Sequence, residues 1–188
     1  QMDQSTEFSP PYLVPHSQEI IRILYKDPHL LILDKPTLLL TVPGRHRLNH
    51  DCLISRLAKH YPGVSAVHRL DLDTSGVIIV PRTSAALSGL ARQFQERSID
   101  KTYHAMVAGR ILHEEGEITF PLKKDWTNRP RQKVCFKTGK QSLTRWRVID
   151  HYRNSTFVEL KPVTGRSHQL RLHLLEIGHP ILGCDLYA

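Results

Sequence analysis

Cysteine is scarce in this chain, and its three cysteines, Cys52, Cys135 and Cys184, stand far apart. Neither a disulfide framework nor a Cys-x-x-Cys metal or redox pair can be built from them, which points to a reduced, cytoplasmic protein. Long apolar runs are missing too. No segment approaches the roughly eighteen residues of a spanning helix, and residues 1–10 are polar with no signal-peptide core, so neither membrane partners nor secretion are expected. Acids are in deficit: 18 Asp and Glu face 26 Lys and Arg, a formal charge of +8. With 40% hydrophobic residues, 188 residues suffice for the core of one domain, so disorder is excluded as the main state. A basic protein of this kind favours a polyanionic partner.

The positive charge is concentrated. Residues 1–100 carry 11 basic and 10 acidic side chains, whereas 101–188 carry 15 and 8. The stretch 121–147 holds nine basic residues and one acid, Asp125, and so matches the net charge of the whole chain. Trp126, Phe136 and Trp146 are interleaved with it. Cations that neutralise phosphates, mixed with rings that stack unpaired bases, are what a single-stranded or looped RNA requires. The alternative is a solvated hairpin with its aromatics turned inward.

Residues 1–19, with Pro10, Pro11 and Pro15, read as a flexible arm ahead of a catalytic domain over 20–188. Strands are predicted at 20–25 and 30–34, split by Lys26-Asp27-Pro28, and at 76–80, 101–108, 117–122, 143–149 and 156–160. Helices are predicted over 48–60, stopped by Pro62-Gly63, over 84–97 with Ser84 as cap, and over 167–177, ended by Gly178. Strands cluster more than they alternate with helices, so the fold class is α+β with a largely antiparallel sheet. No internal repeat is present.

The most unusual local sequence is His68-Arg69-Leu70-Asp71-Leu72-Asp73-Thr74-Ser75-Gly76, which runs into the apolar Val77-Ile78-Ile79-Val80. A polar loop abutting a buried strand can hold a carboxylate rigidly. Several readings compete. Asp71 or Asp73 can close an Asx turn on local backbone N–H groups. Asp71 and Asp73 can form an Asp-x-Asp metal pair. Asp-x-Asp-x-Thr is also the motif of phosphoaspartyl phosphatases, but that class needs a strand leading into its first Asp, and here the apolar run follows the motif. His68, His168 and His173 lack a third-ligand pattern, so no metal is expected.

The fourth reading is a resemblance. His-Arg-Leu-Asp-x-x-Thr-Ser-Gly resembles the catalytic motif of the RluA family of pseudouridine synthases. Leu31-Ile32-Leu33-Asp34-Lys35-Pro36 with Val42-Pro43-Gly44-Arg45 is similar to that family's lysine-proline strand and loop. Lys101-Thr102-Tyr103 resembles its Lys-x-Tyr motif, and Thr164-Gly165-Arg166-Ser167-His168-Gln169-Leu170-Arg171-Leu172-His173 its Thr-Gly-Arg-x-His-Gln-x-Arg-x-His motif. Gly178-His179-Pro180-Ile181-Leu182-Gly183 follows in family order, so the likeness extends from about residue 20 to the end. Asp125–Cys135 resembles the segment of those members that modify both an anticodon-loop uridine of tRNA and a hairpin uridine of 23S rRNA.

The resemblance implies a pseudouridine synthase fold, with a mixed, largely antiparallel sheet flanked by helices and loops and a catalytic cleft across it. It implies a catalytic set of Asp71 as the essential carboxylate, Arg171 as its cation and Tyr103 as the ring over the uracil. RNA contacts are expected from Arg69, Arg166, His168, Gln169, Arg45, Arg129, Arg131 and Lys133, with Leu172 packing under the uracil. Breaking and remaking a glycosidic bond is redox-neutral, so no cofactor is expected. The partners implied are tRNA and 23S rRNA, with a monomer as default. Two departures stand out. Nothing before residue 20 matches the S4-like RNA-binding domain of some relatives. The chain also stops at Asp185-Leu186-Tyr187-Ala188, where family members usually continue, so a shortened C-terminus is expected. An RNA-binding or chaperone protein with weak catalysis, or a synthase for one RNA site, is the alternative function.

Overall fold

A computed structural model describes residues 12–187, and the chain falls into two compact units that divide between Gln95 and Glu96. In the first unit, β1 (Arg22–Lys26), β2 (Leu30–Lys35) and β3 (Gly76–Pro81) form an antiparallel sheet in that order. The turn between β1 and β2 is set by Asp27, whose Oδ1 accepts from the amides of His29 (2.7 Å) and Leu30 (2.8 Å). Strand period two puts Leu31, Leu33 and Lys35 on one buried series of β2, alongside Ile78 and Val80 of β3. A lysine thus occupies a position that the pattern assigns to a hydrophobe.

The helix expected over 48–60 is shorter. A 3-10 turn at Arg47–Asn49 precedes α1 (Leu53–Ala58), and Cys52 interrupts them in an extended conformation. Cys52 Sγ accepts from the Ser55 amide at 3.3 Å while Ser55 Oγ accepts from the Cys52 amide at 3.0 Å, a reciprocal cap that starts the helix anew. Helix α2 (Ser84–Gln95) lies where expected, but Thr83 caps it, its Oγ1 accepting from the Ala86 amide at 3.1 Å. The segment read as an arm is described only from residue 12. There Asn49 binds the Tyr12 carbonyl and the Val14 amide, both at 2.9 Å.

The second unit contains β4 (Tyr103–Ala108), β5 (Glu115–Ile118), β6 (Leu122–Lys124), β7 (Gln132–Val134), β8 (Thr144–His151), β9 (Ser155–Pro162) and α3 (Gln169–Glu176). Its main sheet has the order β4-β9-β8-β5, and β6 with β7 forms a separate hairpin; all pairings are antiparallel. The strand expected over 117–122 breaks into β5 and β6 because Pro121 offers no amide to a ladder. Its carbonyl instead accepts from the Cys135 amide at 3.0 Å. Val107, Ile111, Ile118, Trp146, Val148, Val158, Leu160 and Leu174 make the core. Trp146 belongs to it at 9% exposure. Its indole lies over Gly116, where an added Cβ would sit 2.7 Å from the ring. Of the three aromatics in the basic stretch, only Trp126 (59% exposed) and Phe136 face solvent.

Candidate active site

In the first unit, the Asp71 loop is fastened mainly by the segment that follows β2. Thr41 Oγ1 accepts from the Leu70 amide at 3.1 Å and donates to the Leu70 carbonyl at 2.9 Å. The Leu38 amide donates to Leu72 O at 2.8 Å, and Thr37 Oγ1 to Asp73 O at 2.8 Å. Below them the fully buried Lys35 ammonium donates to the carbonyls of Pro36 (2.8 Å), Leu39 (2.7 Å) and Leu72 (3.4 Å). Burial lowers the Lys35 pKa to about 8, a shift opposed by the charges of Asp71 and Asp73. The lysine-proline motif therefore builds a floor of donors under the carboxylate loop.

From the other side, His68 Nε2 accepts from the Ile79 amide at 3.0 Å, and its ring stacks on Phe94 with centroids 4.6 Å apart. A turn closes just after the carboxylate, with the Thr74 amide donating to the Asp71 carbonyl at 3.1 Å. Asp71 is half-buried and Arg69 exposed, and an open hollow of about 220 Å³ is lined by Val42, Ala66, Val67, His68 and Arg69. Arg45 is exposed in the loop before the 3-10 turn.

In the second unit, Tyr103 opens β4 opposite Leu160 and packs, half-buried, against the core. Nearby, the Lys101 ammonium lies against Gly165, where an added Cβ would be 3.3 Å from Nζ. Gln169 is 3% exposed, and its amide is committed within the protein. Oε1 accepts from Thr164 Oγ1 (2.7 Å) and the Arg166 amide (3.0 Å), while Nε2 donates to Leu143 O and Thr144 Oγ1, both at 3.0 Å. Expected as an RNA contact, Gln169 is instead a peg that fixes the Arg166 turn, because a saturated buried amide has nothing left to offer a ligand. His173 is likewise internal, bonded to Thr144 Oγ1 at 2.8 Å and Phe120 O at 2.9 Å, and burial holds its pKa below the ordinary value.

Arg166 directs Nε and Nη2 to the Gln141 carbonyl, both at 3.2 Å. His168, at φ +53°, stands in the left-handed region just before α3, with Nδ1 2.8 Å from the Tyr187 hydroxyl. Arg171 Nε donates to Cys184 Sγ at 3.2 Å, and Nη2 lies 3.8 Å from Asp185. Leu172 is buried in a small cluster with Leu122, Cys184 and Tyr187, a packing role.

The basic stretch forms the β6–β7 hairpin. Arg129 and Lys124 lie over the Trp126 ring at 4.4 and 5.3 Å, Arg131 donates to the Leu186 carbonyl, and Lys133 pairs with Asp125 at 3.4 Å. Cys135, at the hairpin's end, has its pKa lowered to about 7, chiefly by hydrogen bonds from Thr138, with Lys123 adding charge. Sequence reasoning missed Thr41 and Tyr187, both bound to residues distant in the chain. Among the described residues, no group of three or more His, Cys, Asp or Glu side chains is placed to hold a metal, and no helix is long and apolar enough to cross a membrane.

The family model described as RNA pseudouridylate synthase covers residues 29–176. The protein from Yersinia pestis named dual-specificity RNA pseudouridine synthase RluA is 51% identical over 88% of this chain and 81% of its own length. The protein of the same name from Escherichia coli is 48% identical over 93% and 80%. The structure of human RNA pseudouridylate synthase domain containing 1 superposes with a TM-score of 0.78 at 31% identity, covering 93% of this chain and 72% of that one. With the family model spanning most of the chain and relatives about half identical over most of it, the chain belongs to the RNA pseudouridylate synthase family.

Proposed function

We propose that this protein isomerises uridine to pseudouridine at two kinds of RNA hairpin, a tRNA anticodon loop and a 23S rRNA stem-loop, with Asp71 as the catalytic carboxylate. The observation that carries this is the fastening of the Asp71 loop by Thr37, Leu38, Thr41 and Lys35, which fixes the backbone on both sides of the carboxylate-bearing residue. The dual specificity is supported by relatives of that description at 46–51% identity and by the cationic, Trp126-bearing hairpin.

The reaction breaks the ribose C1′–N1 bond, turns the uracil and joins C5 to C1′, after which the C5 proton leaves. Asp71 acts either as nucleophile at C1′ or as the base that removes a ribose proton. Arg171 supplies the compensating charge, and Tyr103 stacks on the uracil and assists loss of the C5 proton. Arg69 fills the gap left in the RNA stack, while Arg45, Arg129, Arg131, Lys133 and Arg166 engage the RNA backbone.

The test is tritium release from hairpin RNA labelled at uridine C5, in EDTA and without added cofactor. Release by the wild type and none by Asp71→Asn, with RNA affinity retained, is the expected result. Tight binding without release by the wild type would make the protein an RNA-binding module. Retained turnover in Asp71→Asn would mean that another carboxylate serves.

A further inference from the structure

Tyr187 sits where three parts of the second unit meet. Its hydroxyl accepts from the Gln132 amide in β7 at 2.7 Å and lies 2.8 Å from His168 Nδ1 at the start of α3. The ring is buried, 7% exposed, and packs in the cluster with Leu122, Leu172 and Cys184. Two guanidinium groups flank it, Arg131 at 5.9 Å and Arg171 at 5.4 Å from the ring centroid. The same turn gives Arg131 the Leu186 carbonyl and gives Arg171 the sulfur of Cys184 and the carboxylate of Asp185.

We propose that Tyr187 is a positioning residue which couples the RNA-binding hairpin to Arg171 and His168, so that hairpin docking and active-site geometry are set together. This rests on the proposed roles of the hairpin and of Arg171. Without Tyr187, β7 and the N-terminus of α3 lose their shared anchor. His168 is a non-glycine residue in the left-handed region, which costs free energy and persists only where neighbours hold it. The hydroxyl contributes to that hold. With the Gln132 amide on the hydroxyl oxygen, the hydroxyl's own proton is assigned to His168 Nδ1, an arrangement that puts the ring proton of a neutral imidazole on Nε2. Arg131 and Arg171 lie near one electron-rich ring, so displacement of either guanidinium is felt at the ring that carries the other.

The test separates coupling from folding. Single-turnover tritium release from C5-labelled hairpin RNA, at varied enzyme concentration, gives a rate constant and a half-saturation concentration. Tyr187→Phe keeps the ring and removes the hydroxyl. The expected result is a rate constant lowered about tenfold, the equivalent of one lost hydrogen bond, together with a raised half-saturation concentration, while the melting temperature falls only modestly because the ring stays packed. Nitrogen-15 spectra of the imidazoles read the second consequence: His168 is expected as the Nε2–H tautomer in the wild type and as a mixture in Tyr187→Phe. A Tyr187→Phe rate constant equal to wild type overturns the proposal. So does a wild-type His168 with its proton on Nδ1, which needs no variant to fold. A wild type that binds RNA and shows no release at all counts against the proposed function instead, and the tautomer measurement still decides the hydroxyl's role.

Discussion

Thr41 holds both backbone polar groups of Leu70 with one hydroxyl, accepting from its amide and donating to its carbonyl, although the two residues are 29 positions apart. The side chain that follows is Asp71. Thr41→Val keeps the shape and removes the hydroxyl, leaving two buried groups without partners. We expect a loss of about 2 kcal/mol in stability by denaturant unfolding and a larger proportional loss of turnover. Thr41→Ser should restore most of both.

Lys35 gives the loop a pH signature. The unfolded lysine keeps its proton to about 10.4, whereas the folded one holds it only to about 8, so between these values unfolding takes up a proton. Stability therefore rises with pH across that window. Below it, the buried ammonium is charged and bonded to three carbonyls. Lys35→Met should abolish this part of the pH dependence in paired unfolding curves, and at pH 7 it should lower the unfolding midpoint because the three carbonyls lose their donor.

His173 has the same sign in a more acidic window. Its folded pKa lies below the ordinary value near 6.5, so below that pH the unfolded chain gains a proton that the folded chain refuses. Stability is full above about 6.5 and falls as the solution is acidified. His173→Gln is expected to flatten this acid limb while lowering stability at neutral pH, as thermal melts at a series of pH values will read.

Cys135 should alkylate faster than Cys52 and Cys184, which are buried. With a pKa near 7, about half of it is thiolate at neutral pH, and the rate of iodoacetamide labelling should inflect there. Thr138→Val removes the strongest stabilising hydrogen bond and should move the inflection upward. Hairpin RNA should slow the labelling, as peptide mapping will detect.

The hairpin cations should set the salt dependence of RNA binding. Replacing Arg129, Arg131 and Lys133 with glutamine is expected to lower the log–log salt slope by up to about three contacts, each worth roughly 0.7–0.9. An unchanged slope would move the binding charge to Arg45, Arg69 and Arg166.

Local signals made much of this legible. The period-two series of β2, the proline that splits β5 from β6 and the glycine that ends α3 are written in neighbouring residues. The Asp71 loop was legible for the same reason, as an uncommon contiguous string. What could not be read was long-range. Nothing near Thr41 announces Leu70, and Lys35 looks like a surface charge until the strand's pairing buries it. Gln169 illustrates the converse: a polar residue in a functional motif reads as a ligand contact, yet four internal hydrogen bonds consume it. Trp146 was indistinguishable from Trp126 in the basic stretch, and only the pairing of β5 with β8 placed it over Gly116.

That difference gives the molecule two unlike optical reporters, since its sequence contains only these two tryptophans. Trp126, solvated and stacked with cations, emits from the surface that is proposed to meet RNA, and bases laid on it should quench its fluorescence. Trp146 emits from the core and should shift to the red only on unfolding. A single emission spectrum thus separates RNA docking from loss of structure, without any label.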